Sequence, residues 1–201
     1  DPDDDGLRAE MERVRDDRFG RAERIVRKIA RDHPLSWQDV LEQRTGDATV
    51  GRPHIADALV ARGLARDRSE AFDTILHPRS GYYVPHYAPD PLTAVRLIVA
   101  AGGVPIIAHP TPAGRTRMMS IALITELIDA GLAGFELGHR ENTEDGKRLL
   151  RGLVEQYDLI VTGSSDYHGR GKPNLPGENT TSDDDVARII ERGTGSAPIF
   201  P

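Results

Sequence analysis

Val161-Thr162-Gly163-Ser164-Ser165-Asp166-Tyr167-His168-Gly169 is an apolar run that ends in small residues and then, at once, in a carboxylate and an imidazole. A buried strand delivers side chains to its open end in this way. In extended chain residues i and i+2 point to one side, so the spacing predicts that Asp166 and His168 converge on one cation while Tyr167 faces away. Gly103-Val104-Pro105-Ile106-Ile107-Ala108-His109-Pro110 repeats the pattern with one imidazole, and its proline fixes the chain that follows. The two strand ends together offer His109, Asp166 and His168, a nitrogen and oxygen donor set suited to divalent Mn, Fe, Zn or Co. The plainer alternative for each imidazole is a satisfied histidine after a core strand.

Working outward, residues 90–192 alternate between two periodicities. Asp90 caps a helix through Ala101, and Gly102-Gly103 turns it into a strand over 104–108. A helix over 118–130 closes at Gly131, and the strand Gly134-Phe135-Glu136-Leu137-Gly138 follows. Next come a helix from Thr143 to Tyr157, a strand from Leu159 to Thr162 and a last helix from Asp183 to Arg192. This order is α/β, with a parallel sheet or barrel, and in such folds chemistry collects at the carboxyl ends of the strands. His109, the stretch from Glu136 to Asn142, and Asp166 to His168 all fall there.

Upstream the pattern is helical throughout. Leu7, Met11, Val14, Phe19, Ala22, Ile25, Val26 and Ile29 recur close to every 3.6 residues and predict a helix over 7–31. Its arginines, Arg13, Arg15, Arg18, Arg21, Arg24 and Arg27, form a solvated face or include one or two that meet an anionic ligand. Ser36 caps a helix through Gln43, Pro53 opens another that ends near Gly63, and Ser69 caps a fourth containing Ala71, Phe72 and Ile75. Gly81-Tyr82-Tyr83-Val84-Pro85-His86-Tyr87 is a turn followed by extended chain. The expected division is therefore a helical domain over 1–87 and an α/β part over 88–201.

Composition bounds the function. The 201 residues suffice for one ordinary domain or a domain with a sizeable insertion, and no apolar run approaches a membrane span. The acidic start, Asp1-Pro2-Asp3-Asp4-Asp5, is unlike a signal peptide, and there is no cysteine, so a reducing, cytoplasmic setting is expected. A net charge of −6 argues against an undirected grip on duplex nucleic acid but is compatible with a short phosphorylated ligand held by metal ions.

Ala108-His109-Pro110 after a Gly-Gly turn, Gly134-Phe135-Glu136-Leu137 leading into His139-Arg140, and Gly163-Ser164-Ser165-Asp166-Tyr167-His168-Gly169 resemble the C-terminal half of the PHP (polymerase and histidinol phosphatase) superfamily. Gly51-Arg52-Pro53-His54-Ile55-Ala56, Ala71-Phe72, Gly81-Tyr82-Tyr83-Val84-Pro85 and Ala100-Ala101-Gly102-Gly103 are similar to the inserted helical domain of stand-alone bacterial members acting on nucleoside 3′,5′-bisphosphates and short oligoribonucleotides.

The resemblance implies a distorted (β/α)7 barrel with an inserted all-α domain. Two or three divalent metal ions (Mn, Fe or Zn) on its top face would activate water against a phosphate monoester of a small nucleotide. His109, Asp166 and His168 are the expected ligands, with Asp166 and His168 catalytic. The family's N-terminal His-x-His, following Asp, further His and Glu have no counterpart here, so the chain reads as a partial barrel whose isolated activity is expected to be small. A degenerate module kept for binding, or a phosphatase for another small metabolite, are the alternatives.

The remaining candidates each have two readings. His139 and Arg140 are substrate-binding candidates, and Arg140 either holds a phosphate oxygen or pairs with Glu141 or Asp145. Glu136 either orients a metal-bound histidine from behind or caps a polar barrel interior. His54 meets substrate or caps its helix, while Arg115 and Arg117 approach a second phosphate or lie in a solvated loop. Tyr82, Tyr83 and Tyr87 stack on a base or pack the helical domain, and Lys172-Pro173-Asn174 covers the rim of the site.

Overall fold

The computed structural model describes residues 1–46, 48–113, 119–167 and 173–199. They divide into two compact units, Ala9–Ala88 and Asp1–Arg8 with Pro89–Pro201.

The helical unit is built on α1 (Asp5–Ile29), of which the residues from Ala9 onward belong to it. Ala22, Ile25, Val26 and Ile29 are its buried stripe, at the helical spacing that the apolar pattern requires. The earlier members of that pattern, Met11 and Phe19, are exposed. α2 (Trp37–Leu41) opens with a reciprocal capping box, in which the Ser36 hydroxyl accepts from the Asp39 N–H and the Asp39 carboxylate accepts from the Ser36 N–H. α3 (Arg52–Ala61) has proline in its first turn. α4 (Arg68–Asp73) is capped by Asp67 rather than Ser69, because Asp67 is the extended residue and its carboxylate accepts the Glu70 N–H. Val40, Val50, Ile55, Leu59 and Ala71 complete the core with the α1 stripe.

The arginines of α1 have more to do than face water. The extended strap over 82–87 is fastened to the helix by Arg21 Nε donating to Val84 O (2.6 Å), Lys28 Nζ to Tyr83 O (3.0 Å) and the Tyr87 N–H to Asp17 Oδ2 (2.7 Å). The Arg13 guanidinium lies 3.8 Å from the Tyr87 ring centroid, and Tyr82 Oη donates to Asp32. Packing within the unit therefore accounts for these tyrosines.

The second unit carries the sheet. α5 (Pro91–Ala100), β1 (Ile106–Ile107), α6 (Ile121–Asp129), β2 (Gly134–Gly138), α7 (Glu144–Tyr157), β3 (Ile160–Gly163) and α8 (Asp183–Arg192) follow in chain order. The strands pair in the order β1-β2-β3 and are all parallel, with Ile106 opposite Gly134 and Gly134 opposite Ile160. This is an α/β fold with a small parallel sheet. Parallel strands need crossovers, and α6 and α7 supply them. Asp90, Ser120, Thr143 and Ser182 each accept an N–H of the first turn of the helix they precede.

Strand β1 is shorter than the expected 104–108. Pro105 has no N–H for the ladder, though its carbonyl accepts from Ala133, and beyond Ile107 the chain turns sharply at His109. Phe135, Ile124, Leu127, Leu150 and Leu159 fill the core between sheet and helices. Gly134 is required where β2 meets β3, since a Cβ there would overlap the Ile160 carbonyl. α8 closes against β3 through Asp185, which accepts the Val161 N–H, and Arg188, which donates to Leu159 O. No helix among the described residues is long and apolar enough to cross a membrane.

Several carboxylates are structural acceptors, and this gives the acid side of stability a direction. The Tyr87 N–H holds Asp17 below the usual carboxylate range, the Ser36 N–H does so for Asp39, and the Thr93 hydroxyl for Asp90. A carboxylate depressed in the folded state contributes stability that is present above its unfolded pKa and lost as pH falls through the folded value. The melting temperature is expected to hold from pH 7 to about pH 5 and to fall below about pH 4. Asp39→Asn, which cannot ionise, should melt lower at pH 7 and show a shallower acid limb, read by circular dichroism.

Candidate metal and phosphate site

Three parallel strands bring their carboxyl ends to one edge, and each is followed by a polar residue set in an unusual local geometry. After β1, His109 has φ +30, uncommon for a residue with a Cβ and disfavoured further by the proline that follows. Its N–H donates to Glu136 Oε2 at 2.7 Å. Glu136, 9% exposed in the middle strand, thus holds the turned backbone of His109 rather than its ring. This is a more direct link than either reading of Glu136 from sequence.

After β2, His139 is buried to 1% exposure, with its ring centroid 5.2 Å from that of His109. Its Nδ1 accepts the Glu141 N–H at 3.2 Å. Its Nε2 is buried and meets no hydrogen-bond partner among the described residues, and it lies 3.8 Å from Asp166 Oδ2, beyond hydrogen-bond reach. Arg140 points to a different partner from those expected, Glu178 at 3.2 Å, while Asp145 pairs with Arg148.

After β3 the ladder stops at Gly163, and Asp166 has φ +49. Asp166 itself is therefore not extended, as the reading of Asp-x-His from sequence assumed: a positive φ turns the chain there instead of continuing the pleat. The loop is held from outside: Asn174 Nδ2 donates to Ser165 O at 2.6 Å, Asn179 Nδ2 to Ser164 O at 3.4 Å, and Thr181 Oγ1 accepts the Gly163 N–H at 3.1 Å. Asn174, 2% exposed, packs beneath the site loop. His168, Arg115, Arg117 and Lys172 lie outside the described residues. His54, in the first turn of α3, uses Nδ1 to accept the Gly51 N–H at 3.2 Å, which is a capping contact.

One residue of the site, placed at a strand end by the sequence, was given no role of its own. Asn142, 6% exposed, accepts from the Thr111 N–H (3.0 Å) and hydroxyl (3.3 Å) through Oδ1, and donates from Nδ2 to the carbonyls of Glu136 (2.8 Å) and Leu137 (3.3 Å). With Ala113 N–H donating to Glu141 O and Thr143 N–H to Thr111 O, it laces the loop after β1 to the loop after β2. A lone Asn before a Thr cap gives no periodic or motif signal.

Imidazole nitrogen and carboxylate oxygen are the donors that a divalent cation of the Mn, Fe or Zn type takes, so His109 and Asp166 fit such an ion in chemistry. Among the described residues no group of three His, Cys, Asp or Glu side chains is placed to hold one by itself.

No family model matches the chain. Its fold matches that of a Bifidobacterium adolescentis protein described as a metal-dependent phosphoesterase, with TM-score 0.90 and 40% identity, over 96% of this chain and 69% of that one. An amidohydrolase from Chromobacterium violaceum, solved with bound sulfate and no metal, matches with TM-score 0.74 and 25% identity over the same shares, 96% and 69%. In sequence the chain is 27% identical over 179 residues to the 3′,5′-nucleoside bisphosphate phosphatase of Chromobacterium violaceum, covering 86% of this chain and 61% of that protein. It is 32% identical over 122 residues to a 5′-3′ exoribonuclease of Haemophilus influenzae, covering 61% of this chain and 44% of that protein. The chain spans less than two thirds of the length of these curated relatives. It belongs to the PHP superfamily of metal-dependent phosphoesterases.

The lacing by Asn142 has a measurable consequence. Asn142→Ala removes the acceptor of the Thr111 N–H and a donor to the Glu136 carbonyl, while the Leu137 carbonyl keeps the His139 N–H, and should cost roughly 1–3 kcal/mol in urea unfolding. Asn142→Asp, which sets a carboxylate against two carbonyls, should cost more.

Proposed function

We propose that the protein is a metal-dependent phosphatase for phosphate monoesters of small nucleotides, such as a nucleoside 3′,5′-bisphosphate, or for the ends of short oligoribonucleotides. In this reading the chain contributes the later strands of a distorted (β/α)7 barrel over 88–201 and a helical domain inserted into it over 1–87. The observation that carries the proposal is that three successive parallel strands lead into His109, His139 and Asp166, around a buried ring nitrogen with no hydrogen-bond partner among the described residues. The relatives named for bisphosphate phosphatase and exoribonuclease activity support the substrate class.

His109, Asp166 and His168 would hold the metal, as part of a cluster of two or three Mn, Fe or Zn ions, with Asp166 and His168 catalytic. Bound there, the ions would lower the pKa of a water and stabilise charge on phosphoryl oxygens. The chain's own residues do the positioning. Glu136 keeps the His109 backbone turned toward the site. Arg140 holds a phosphoryl oxygen by exchanging the Glu178 carboxylate for it, one charge-assisted pair for another. His139, Arg115 and Arg117 are further phosphate contacts, and His54, whose Nδ1 accepts the Gly51 N–H, is a further candidate for substrate binding.

The test uses the complete protein with added Mn²⁺ and a nucleoside 3′,5′-bisphosphate, following phosphate release. Asp166→Ala is expected to reduce kcat to background while the urea midpoint stays near that of the wild type. Unchanged turnover in that variant would remove Asp166 from the chemistry. A protein that binds Mn²⁺ and nucleotide yet releases no phosphate would be a binding module instead.

A further inference from the structure

We infer that His139 does not ligate metal but acts as a fixed N–H donor to an oxyanion, a phosphoryl oxygen of the substrate. The inference rests on the phosphoesterase reading and specifies how that site grips its phosphate. A neutral imidazole has one N–H and one lone pair. The Glu141 N–H donates to Nδ1 at 3.2 Å, so the lone pair is on Nδ1 and the proton on Nε2. A histidine that binds metal through Nε2 carries its proton on Nδ1, where it normally donates to a carbonyl or carboxylate. At His139 that proton would face the Glu141 N–H, donor against donor. The backbone of the turn after β2 therefore selects the tautomer that cannot ligate.

The donor so created has no acceptor among the described residues. The His139 side chain is fully buried, its Nε2 makes no hydrogen bond among the described residues, and Asp166 Oδ2 is 3.8 Å away. Buried donors are nearly always paired, and one aimed into a polar site between two expected metal ligands calls for an acceptor from outside. The His109 ring, 5.2 Å from the His139 ring, places that acceptor beside the position of the cation. An oxyanion bound to the cation would receive the Nε2–H, while the uncharged ring adds no positive charge to compete with metal for Asp166. A neutral guest could take the bond too, but a phosphoryl oxygen takes it more strongly.

Two measurements on the complete protein test this without turnover. In ¹⁵N-histidine spectra, His139 should show a protonated Nε2 and an unprotonated Nδ1, both before and after Zn²⁺ is added. Titration calorimetry should give His139→Ala a Zn²⁺ affinity within threefold of wild type, with inorganic phosphate binding to the Zn²⁺ form weakened at least tenfold. His139→Gln, whose amide can donate, should recover part of the loss. If His139→Ala does not fold, the His139→Gln titrations and the wild-type spectra decide.

A switch to protonated Nδ1 on adding Zn²⁺, or a tenfold loss of Zn²⁺ affinity in either variant, would make His139 a ligand and overturn the inference. Unchanged phosphate affinity in both variants would assign the Nε2–H to a bound water and overturn it equally. Failure of the protein to hydrolyse any phosphate monoester, with these results intact, would count against the enzymatic reading alone.

Discussion

A carboxylate in the middle strand decides where the site goes. Glu136 accepts the N–H of His109, and without an acceptor there the backbone of His109 would have little reason to remain at φ +30 before a proline. Backbone strain of this kind costs about 1–3 kcal/mol, and a hydrogen bond to a charged acceptor contributes about 1.5–3 kcal/mol, so one interaction roughly offsets the other. Its strength depends on Glu136 being fixed in turn. That is the task of the parallel ladder on either side of β2 and of Asn142, which takes the Glu136 carbonyl from the opposite direction. Tight strand contact is possible because Gly134 offers no Cβ to Ile160.

Much of this frame was legible in the sequence because it rests on short-range rules. The last helix falls where the cap and charge pattern place it, Asp183–Arg192, and β2 occupies Gly134–Gly138 as its bounding glycines indicate. Ser36, Asp90 and Thr143 cap their helices as side-chain chemistry predicts. Apolar periodicity and caps are local signals, and local signals survive folding when tertiary packing agrees with them. At α4 the expected cap, Ser69, lies two residues inside the helix, and Asp67 takes the role because its carboxylate reaches the Glu70 N–H.

The site was legible in residue type and not in geometry. His109, His139 and Asp166 stand out in the sequence as polar residues after apolar runs, but periodicity cannot reveal a left-handed backbone at a residue with a Cβ, and two of the three site loops depend on one. The extended reading of Asp166 failed for that reason. The hydrogen-bonding roles of Asn142 and Asn174 were missed, though both lay in stretches assigned to the site, because they satisfy carbonyls of other segments, a property with no local mark. The arginines of α1 teach a related lesson. A charged helical face reads as solvated until another segment, here the strap over 82–87, arrives with carbonyls and aromatic rings to occupy it.

The distribution of strain and satisfaction separates scaffold from site. In the sheet and its helices, polar backbone groups are paired by ladder and cap, and the packed core between them is apolar. At the carboxyl ends the pattern inverts: the backbone departs from regular geometry at His109 and Asp166, and the loops are held by side chains of Glu136, Asn142, Asn174 and Thr181. A loop fixed by several side-chain bonds loses little further freedom when it binds a charged guest, which is the condition for preorganised electrostatic catalysis. Within that fixed set the Nε2 of His139 is the exception, a buried polar atom without a hydrogen-bond partner among the described residues while the groups around it are secured. A fold that satisfies the neighbouring backbone so thoroughly and omits this one donor has shaped the omission around a ligand.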